Sequence, residues 1–198
     1  MSAKRVFDIL IALFGIGITF PVLIIISCAI LLDSKGGIIY RQTRVGRNRV
    51  DFKLLKFRTM KPKADSGSLL TIGDHDSRIT KCGYWLRKYK LDELPQLFNI
   101  LKGDMSFVGP RPEVSKYVEL YDVRQQKILS VKPGLTDWAS IAFINENQLL
   151  AKAENPEKYY INYIIPYKIA HNLRYIEHHN LWIDFKIMML TVKCILYR

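Results

Sequence analysis

Two acids stand side by side at Asp92-Glu93, and a single arginine follows them, locked between prolines in Gly109-Pro110-Arg111-Pro112. A carboxylate can attack phosphorus or bind a divalent cation, and a guanidinium fork can hold phosphate. Neighbouring helical residues point about 100° apart, so the two acids do not form a facing pair. If they are chemical, one attacks or binds metal and the other has a separate task. The plainer reading is structural, since acids in a first helical turn complement the helix dipole.

The surrounding pattern says what must position them. Leu94, Leu97, Phe98 and Leu101 recur at helical spacing and make one apolar face. Pro95 is tolerated in a first turn, and Lys102-Gly103 reads as a stop. Lys56 and Arg58, in Lys56-Phe57-Arg58-Thr59-Met60, fall on one face of an extended strand. They read either as a solvated edge or as a phosphate clamp. Ser77 to Tyr89 reads as a strongly cationic helix, in which Arg87, nearest Asp92 in sequence, is the candidate substrate contact.

The chain has 198 residues, enough for one domain with an appendage. It carries 30 Lys+Arg against 18 Asp+Glu, a net charge of +12, which points to anionic partners: nucleic acid, lipid head groups or phosphorylated small molecules. No helix-turn-helix, zinc or RRM signature supports nucleic acid, so none is expected as a partner. Cys28, Cys82 and Cys194 are few and widely spaced, which predicts neither a disulfide framework nor a zinc site. His75, His171, His178 and His179 lack metal-ligand spacing.

Lys4-Arg5 precedes an apolar run from Ile9 to Leu32, about 24 residues and long enough to span a bilayer. Pro21 interrupts it, with Gly15 and Gly17 nearby, and the Thr19 hydroxyl could serve a backbone group freed at a bend. Both flanks are basic, so the positive-inside rule wants both ends on one side. A spanning helix and a re-entrant hairpin both remain open on the residues alone. The domain division expected is residues 1–35 as membrane anchor and 36–198 as catalytic domain. Ile38 to Gln42 and Phe52 to Phe57 predict a hairpin turning at Val45-Gly46-Arg47-Asn48. Lys61 to Asp76 reads as a loop, Glu113 to Leu129 as one charged helix, Val131 to Thr136 as a turn, and Leu149 to Tyr163 as a helix broken at Asn155-Pro156. Asp184 is expected to cap a last helix, Phe185 to Leu196, which packs in a core or docks at an interface; the dense tyrosines from Tyr159 to Tyr175 suit a membrane surface.

The run Leu91 to Pro112 resembles the core of the bacterial sugar transferases known as monotopic phosphoglycosyl transferases, in particular their small single-domain members, and Lys56 to Met60 matches their pentapeptide beside the active site. The resemblance implies an α+β, mainly helical fold, with a re-entrant membrane helix-bend-helix at the N-terminus, a small β-hairpin and amphipathic helices lying at the interface. It implies transfer of a sugar phosphate, an N-acetylated hexosamine or bacillosamine-type sugar, from a UDP-sugar to polyprenyl (undecaprenyl) phosphate with release of UMP. Mg²⁺ would be the cofactor. Asp92 would be nucleophile and metal ligand, and Glu93 an assisting group that takes a proton from the acceptor. Lys56, Arg58, Arg87 and Arg111, with Pro110 and Pro112 as its frame, would bind substrate. The setting implied is the cytoplasmic face of a bacterial inner membrane, with anionic lipids and downstream glycosyltransferases as partners. The chain departs from the family pattern at Phe20 before Pro21, and at Asp137 and Ser140. The competing reading is an inactive membrane-surface scaffold.

Overall fold

The computed structural model describes residues 2–62, 70–73 and 76–197. It is mainly helical with two small pairs of strands. α1 (Ala3–Asp33) leads into β1 (Ile39–Val45) and β2 (Asp51–Phe57), an antiparallel hairpin in which Tyr40 faces Lys56 and Gln42 faces Leu54. α2 (Lys81–Lys88) follows, then α3 (Gln96–Lys102), β3 (Ser106–Val108) and α4 (Ser115–Val118). β4 (Gly134–Thr136), α5 (Trp138–Ala142), α6 (Glu146–Lys152), α7 (Pro156–Tyr159), α8 (Ile165–His178) and α9 (Leu181–Leu196) complete the chain.

α1 is long and apolar enough to cross a membrane, and it runs through Pro21 without a break in helical assignment. The Thr19 hydroxyl donates to the Gly15 carbonyl at 2.7 Å, one turn back, rather than to Gly17. Its two ends are held by the same body of protein. At the start, Arg5 donates to the Ile100 and Leu101 carbonyls at the end of α3, where a cation complements the helix dipole. The buried Asp8 accepts from Ser106 Oγ and Phe107 N, both at 3.1 Å, and Lys4 pairs with the buried Asp184 at 2.5 Å. At the far end, Asp33 accepts from the Cys82 amide at 3.0 Å, while Ile26 and Ile30 pack on Phe57 and Leu86. The first half of α1 is therefore part of the core, with Ala12 buried beside Leu97, Ile100 and Met105. Between these anchors Phe14, Ile18, Phe20 and Ile25 are exposed.

A second core gathers Tyr117, Tyr121, Ile128, Leu150, Tyr160, Ile164 and Ile169 under the C-terminal helices. Here several expectations are corrected. The single helix over 113–129 is instead α4 and a 3-10 turn, Gln125–Ser130. Asp122 and Gln125 exchange side-chain-to-amide hydrogen bonds at 2.7 and 3.0 Å, a reciprocal cap that starts a new turn and leaves Val123 87% exposed. Val131 to Thr136 is not only a turn: Gly134–Thr136 pairs in parallel with Ser106–Val108. The pairing needs glycine, because a Cβ on Gly134 would stand 2.2 Å from the Gly109 amide nitrogen. The cap of α9 is Asn180, whose side chain accepts from Ile183 N at 2.9 Å; Asp184 lies inside the helix, buried against Lys4 and Tyr175. α2 begins at Lys81 behind the cap Thr80, later than the expected Ser77. The break at Asn155-Pro156 falls where expected, but helix begins already at Glu146 and continues past Tyr163 through a π turn, Tyr160–Ile164, into α8. Of the tyrosines read as interfacial, Tyr160 and Tyr175 are buried in the two cores. Most of the loop expected over Lys61 to Asp76, with His75, lies outside the described residues.

Candidate active site

A 3-10 turn, Leu91–Glu93, joins α2 to α3 and carries both acids. Lys90 enters it in a left-handed conformation (φ 57°), which reverses the chain and turns the acids inward toward β2. Asp92 and Glu93 are 7% and 9% exposed. Buried carboxylates need partners, and the two are served very differently.

Glu93 is clasped. Arg111 donates to both of its oxygens, at 3.2 Å to Oε2 and closer to Oε1, and Lys56 Nζ lies 3.2 Å from Oε1. Arg111 and Lys56 together outweigh burial and hold the Glu93 carboxyl well below its ordinary range. A carboxylate so held is a poor proton acceptor. Its evident work is to fix two cations in place.

Asp92 is left open. Lys56 Nζ is 3.9 Å from its Oδ2, and its Oδ1 is buried with no hydrogen-bond partner among the described residues. Burial pushes its carboxyl upward, Lys56 opposes that, and Glu93 adds to it. Lys90 and Arg87 also pull it down. The result is a carboxylate with an unspent oxygen in a cationic surround.

Arg111 is pinned from behind. Its amide donates to Asp137 Oδ2 at 3.1 Å, its Nη1 also reaches the Leu135 carbonyl at 3.2 Å, and the Glu93 carboxylate raises its already high pKa. Pro112 lines the cleft, while the buried Pro110 sits behind it, its carbonyl accepting from Gly134 N at 3.0 Å. Arg87 donates to Thr71 Oγ1 at 2.8 Å, and burial lowers its pKa. Arg58 lies apart from this group: it donates to the Lys35 and Ser34 carbonyls at 2.6 and 2.7 Å, just past the end of α1. The structure thus brings together Asp92, Glu93, Lys56, Arg87, Arg111 and Pro112, and sets Arg58 and Pro110 outside the cleft lining.

The cleft they share is about 760 Å³. Toward α1 and α9 its walls are apolar: Gly15, Leu97, Met188, Val192 and Ile195. Toward α6 and α8 they are polar, with Arg44, Glu113, Tyr160, Glu146 and Lys168. Sequence reasoning missed this polar wall, whose members are scattered from position 44 to 168 and carry no spacing signal. Lys90, two residues before Asp92, was findable and also lines the cleft; burial lowers its pKa, and the Glu93 and Asp92 carboxylates oppose that.

Among the described residues no three His, Cys, Asp or Glu side chains gather as a metal-binding group. Mg²⁺ needs less, since it takes one or two protein carboxylates and completes its shell with water and phosphate oxygens, and the unpartnered Oδ1 of Asp92 fits one such ligand.

The chain is similar to known proteins along nearly all of its length. A UDP-N-acetylgalactosamine-undecaprenyl-phosphate N-acetylgalactosaminephosphotransferase of Aeromonas hydrophila is 35% identical over 98% of this chain and 43% of its own length. A UDP-glucose:undecaprenyl-phosphate glucose-1-phosphate transferase of Escherichia coli K12 is 37% identical over 96% of this chain and 39% of its own. An uncharacterized sugar transferase of Bacillus subtilis, EpsL, is 36% identical over 99% of this chain and 88% of its own. The chain thus spans about two fifths of the length of the first two relatives. Residues 1–198 match the family described as bacterial sugar transferase, and the chain belongs to that family.

Proposed function

We propose that the protein is a phosphoglycosyl transferase that moves a sugar 1-phosphate from a UDP-sugar to polyprenyl phosphate and releases UMP, through a phosphosugar carried on Asp92. The observation that carries this is the buried, unpartnered Oδ1 of Asp92 in a cleft lined by Lys56, Arg87, Lys90 and Arg111. In the first step a carboxylate oxygen of Asp92 bonds to the sugar-bearing phosphorus of the donor. The bond from that phosphorus to the bridging oxygen breaks, and its electron pair leaves with UMP. In the second step a phosphate oxygen of the polyprenyl phosphate attacks the same phosphorus and the Asp92 carboxylate departs, giving a polyprenyl-diphosphate sugar. Charge balances in both steps with the acceptor as a dianion, so no proton transfer to Glu93 is required.

The cations around Asp92 bring together anions that would otherwise repel. Lys56 and Arg111, fixed by Glu93, hold the phosphates in register, with Arg87 also lining the cleft. Mg²⁺ would be held by Asp92, where it supplies charge neutralisation at the phosphates. The names of the relatives, which include transferases for N-acetylgalactosamine and for glucose, support the reaction class.

The apolar arm of the cleft beside α1 suits a polyprenyl chain, and a membrane would cover the exposed apolar side chains of α1. Both ends of α1 are anchored to one body, which supports entry and exit by the same, cytoplasmic, face of the inner membrane. The test is UMP release from a UDP-sugar by membrane-bound protein with Mg²⁺ and polyprenyl phosphate. The wild type should release UMP and Asp92→Asn should not; release by Asp92→Asn at the wild-type rate contradicts the reading, and so does a wild type inactive on every donor.

A further inference from the structure

The polar arm of the cleft is built as a continuous wall. Arg44 Nη1 lies 3.4 Å from Glu113 Oε2, and the Tyr160 hydroxyl donates to Glu113 Oε1. The Lys168 ammonium sits over the Tyr160 ring, 5.1 Å from its centroid, and pairs with Glu146 Oε2 at 2.5 Å. All five side chains line the cleft that holds Asp92. The first two ends of the wall are tied to the phosphate site, because Glu113 follows Arg111 by two residues through the rigid Pro112, whose carbonyl accepts from Arg44 at 3.0 Å. Two extended residues reach about 7 Å. A group bonded directly to the attacked phosphorus can lie along such a wall.

We propose that this wall reads the sugar of the donor, and that the Glu146–Lys168 pair decides which hydroxyl or acetamido pattern is accepted. The proposal rests on the transferase reading above. Its chemistry follows from the wall's composition. Carboxylates accept from sugar hydroxyls, an ammonium donates to hydroxyl or amide oxygens, and a site built of fixed polar groups rejects a ligand that leaves them unpaired. Glu113 is spent on Arg44 and Tyr160, which makes it the fixed end. Glu146 and Lys168 come from separate helices, α6 and α8, and hold each other, so a sugar can exchange with that pairing. The opposite arm offers mostly hydrocarbon and suits the lipid instead.

The experiment compares wild type, Glu146→Gln and Lys168→Gln on UDP-glucose, UDP-N-acetylglucosamine and UDP-N-acetylgalactosamine, scored as kcat/KM for UMP release, with UMP inhibition and thermal unfolding measured in parallel. Each variant should change the ratio of kcat/KM between donors by about tenfold, the effect of one lost charge-assisted hydrogen bond. The inhibition constant of UMP, which lacks the sugar, should move less than twofold. An equal loss on all donors with UMP binding intact overturns the proposal, as does a parallel loss of UMP binding, which would make the wall a nucleotide site. If one variant unfolds, the other carries the test. A wild type that releases no UMP from these donors or from a UDP-bacillosamine-type donor defeats the transferase reading itself, and this one with it.

Discussion

Arg111 closes on Glu93 and not on the neighbouring Asp92. That choice divides the labour of the acidic pair. One carboxylate is consumed in holding a cation still, and the other keeps an oxygen free in the cleft.

Glu93→Gln should therefore act first on stability. Removing one partner of a buried pair leaves Arg111 and Lys56 uncompensated, at a cost of about 3 kcal/mol. Because the folded protein depresses the Glu93 pKa, its contribution is fully present above the ordinary value of 4.5 and is lost as pH falls below it toward the depressed value. Thermal unfolding of wild type and variant should differ most at neutral pH and converge in acid. A gap unchanged down to the lowest accessible pH would contradict the assignment.

Asp92 should show the opposite sign. Burial raises its pKa above the ordinary 3.8, and only the ionised form attacks, so UMP release should fall on an acid limb above that value. Lys56 opposes the rise, so Lys56→Met should move the limb to higher pH. The pH profile of donor turnover in the two proteins checks it; a limb that stays put would separate Lys56 from Asp92.

Arg58→Ala should cost stability rather than donor affinity. Its guanidinium ties off two carbonyls past the end of α1, and losing these charge-assisted bonds should cost about 1.5–3 kcal/mol. The KM for the UDP-sugar should stay within twofold while the unfolding temperature drops. A rise in KM with unchanged stability would return Arg58 to the phosphate site.

Asp137 has a clear local task. Its carboxylate caps α5 through the Ser140 amide at 2.5 Å and holds the Arg111 amide through its other oxygen. Asp137→Ala should lower stability by about 1–2 kcal/mol and weaken activity on every donor alike, whereas Asp137→Asn, which keeps the acceptor, should recover most of both. A change in donor preference in either variant would show that this turn reads the sugar.

Sequence made the acidic turn and its supports legible, because local chemistry fixes them. Pro95 and Gly103 at φ 98° bound α3 as expected, but the apolar spacing of Leu94, Leu97, Phe98 and Leu101 misjudged its buried face: Phe98 is exposed, while Gln96, Asn99 and Ile100 are buried with Leu97. The hairpin was legible for the same reason. The β3–β4 pairing was not, since three-residue strands joined in parallel depend on two glycines meeting across a long separation. Nor was the division between Glu93 and Asp92, which is decided by Arg111 reaching back from beyond β3. Lys56 lies in β2 and Arg58 just past its end, and tertiary contacts send one to the acids and the other to the end of α1.

The central claim is that Asp92 becomes covalently phosphorylated by the donor. The direct measurement is to hold the protein with UDP-sugar and Mg²⁺ in the absence of polyprenyl phosphate, quench it, and read the mass of the intact chain and of the peptide containing Asp92. The expected result is one sugar phosphate added at Asp92, with UMP released in equal amount and no addition in Asp92→Asn. Turnover that proceeds with acceptor present, while no mass is ever added at Asp92, would contradict it.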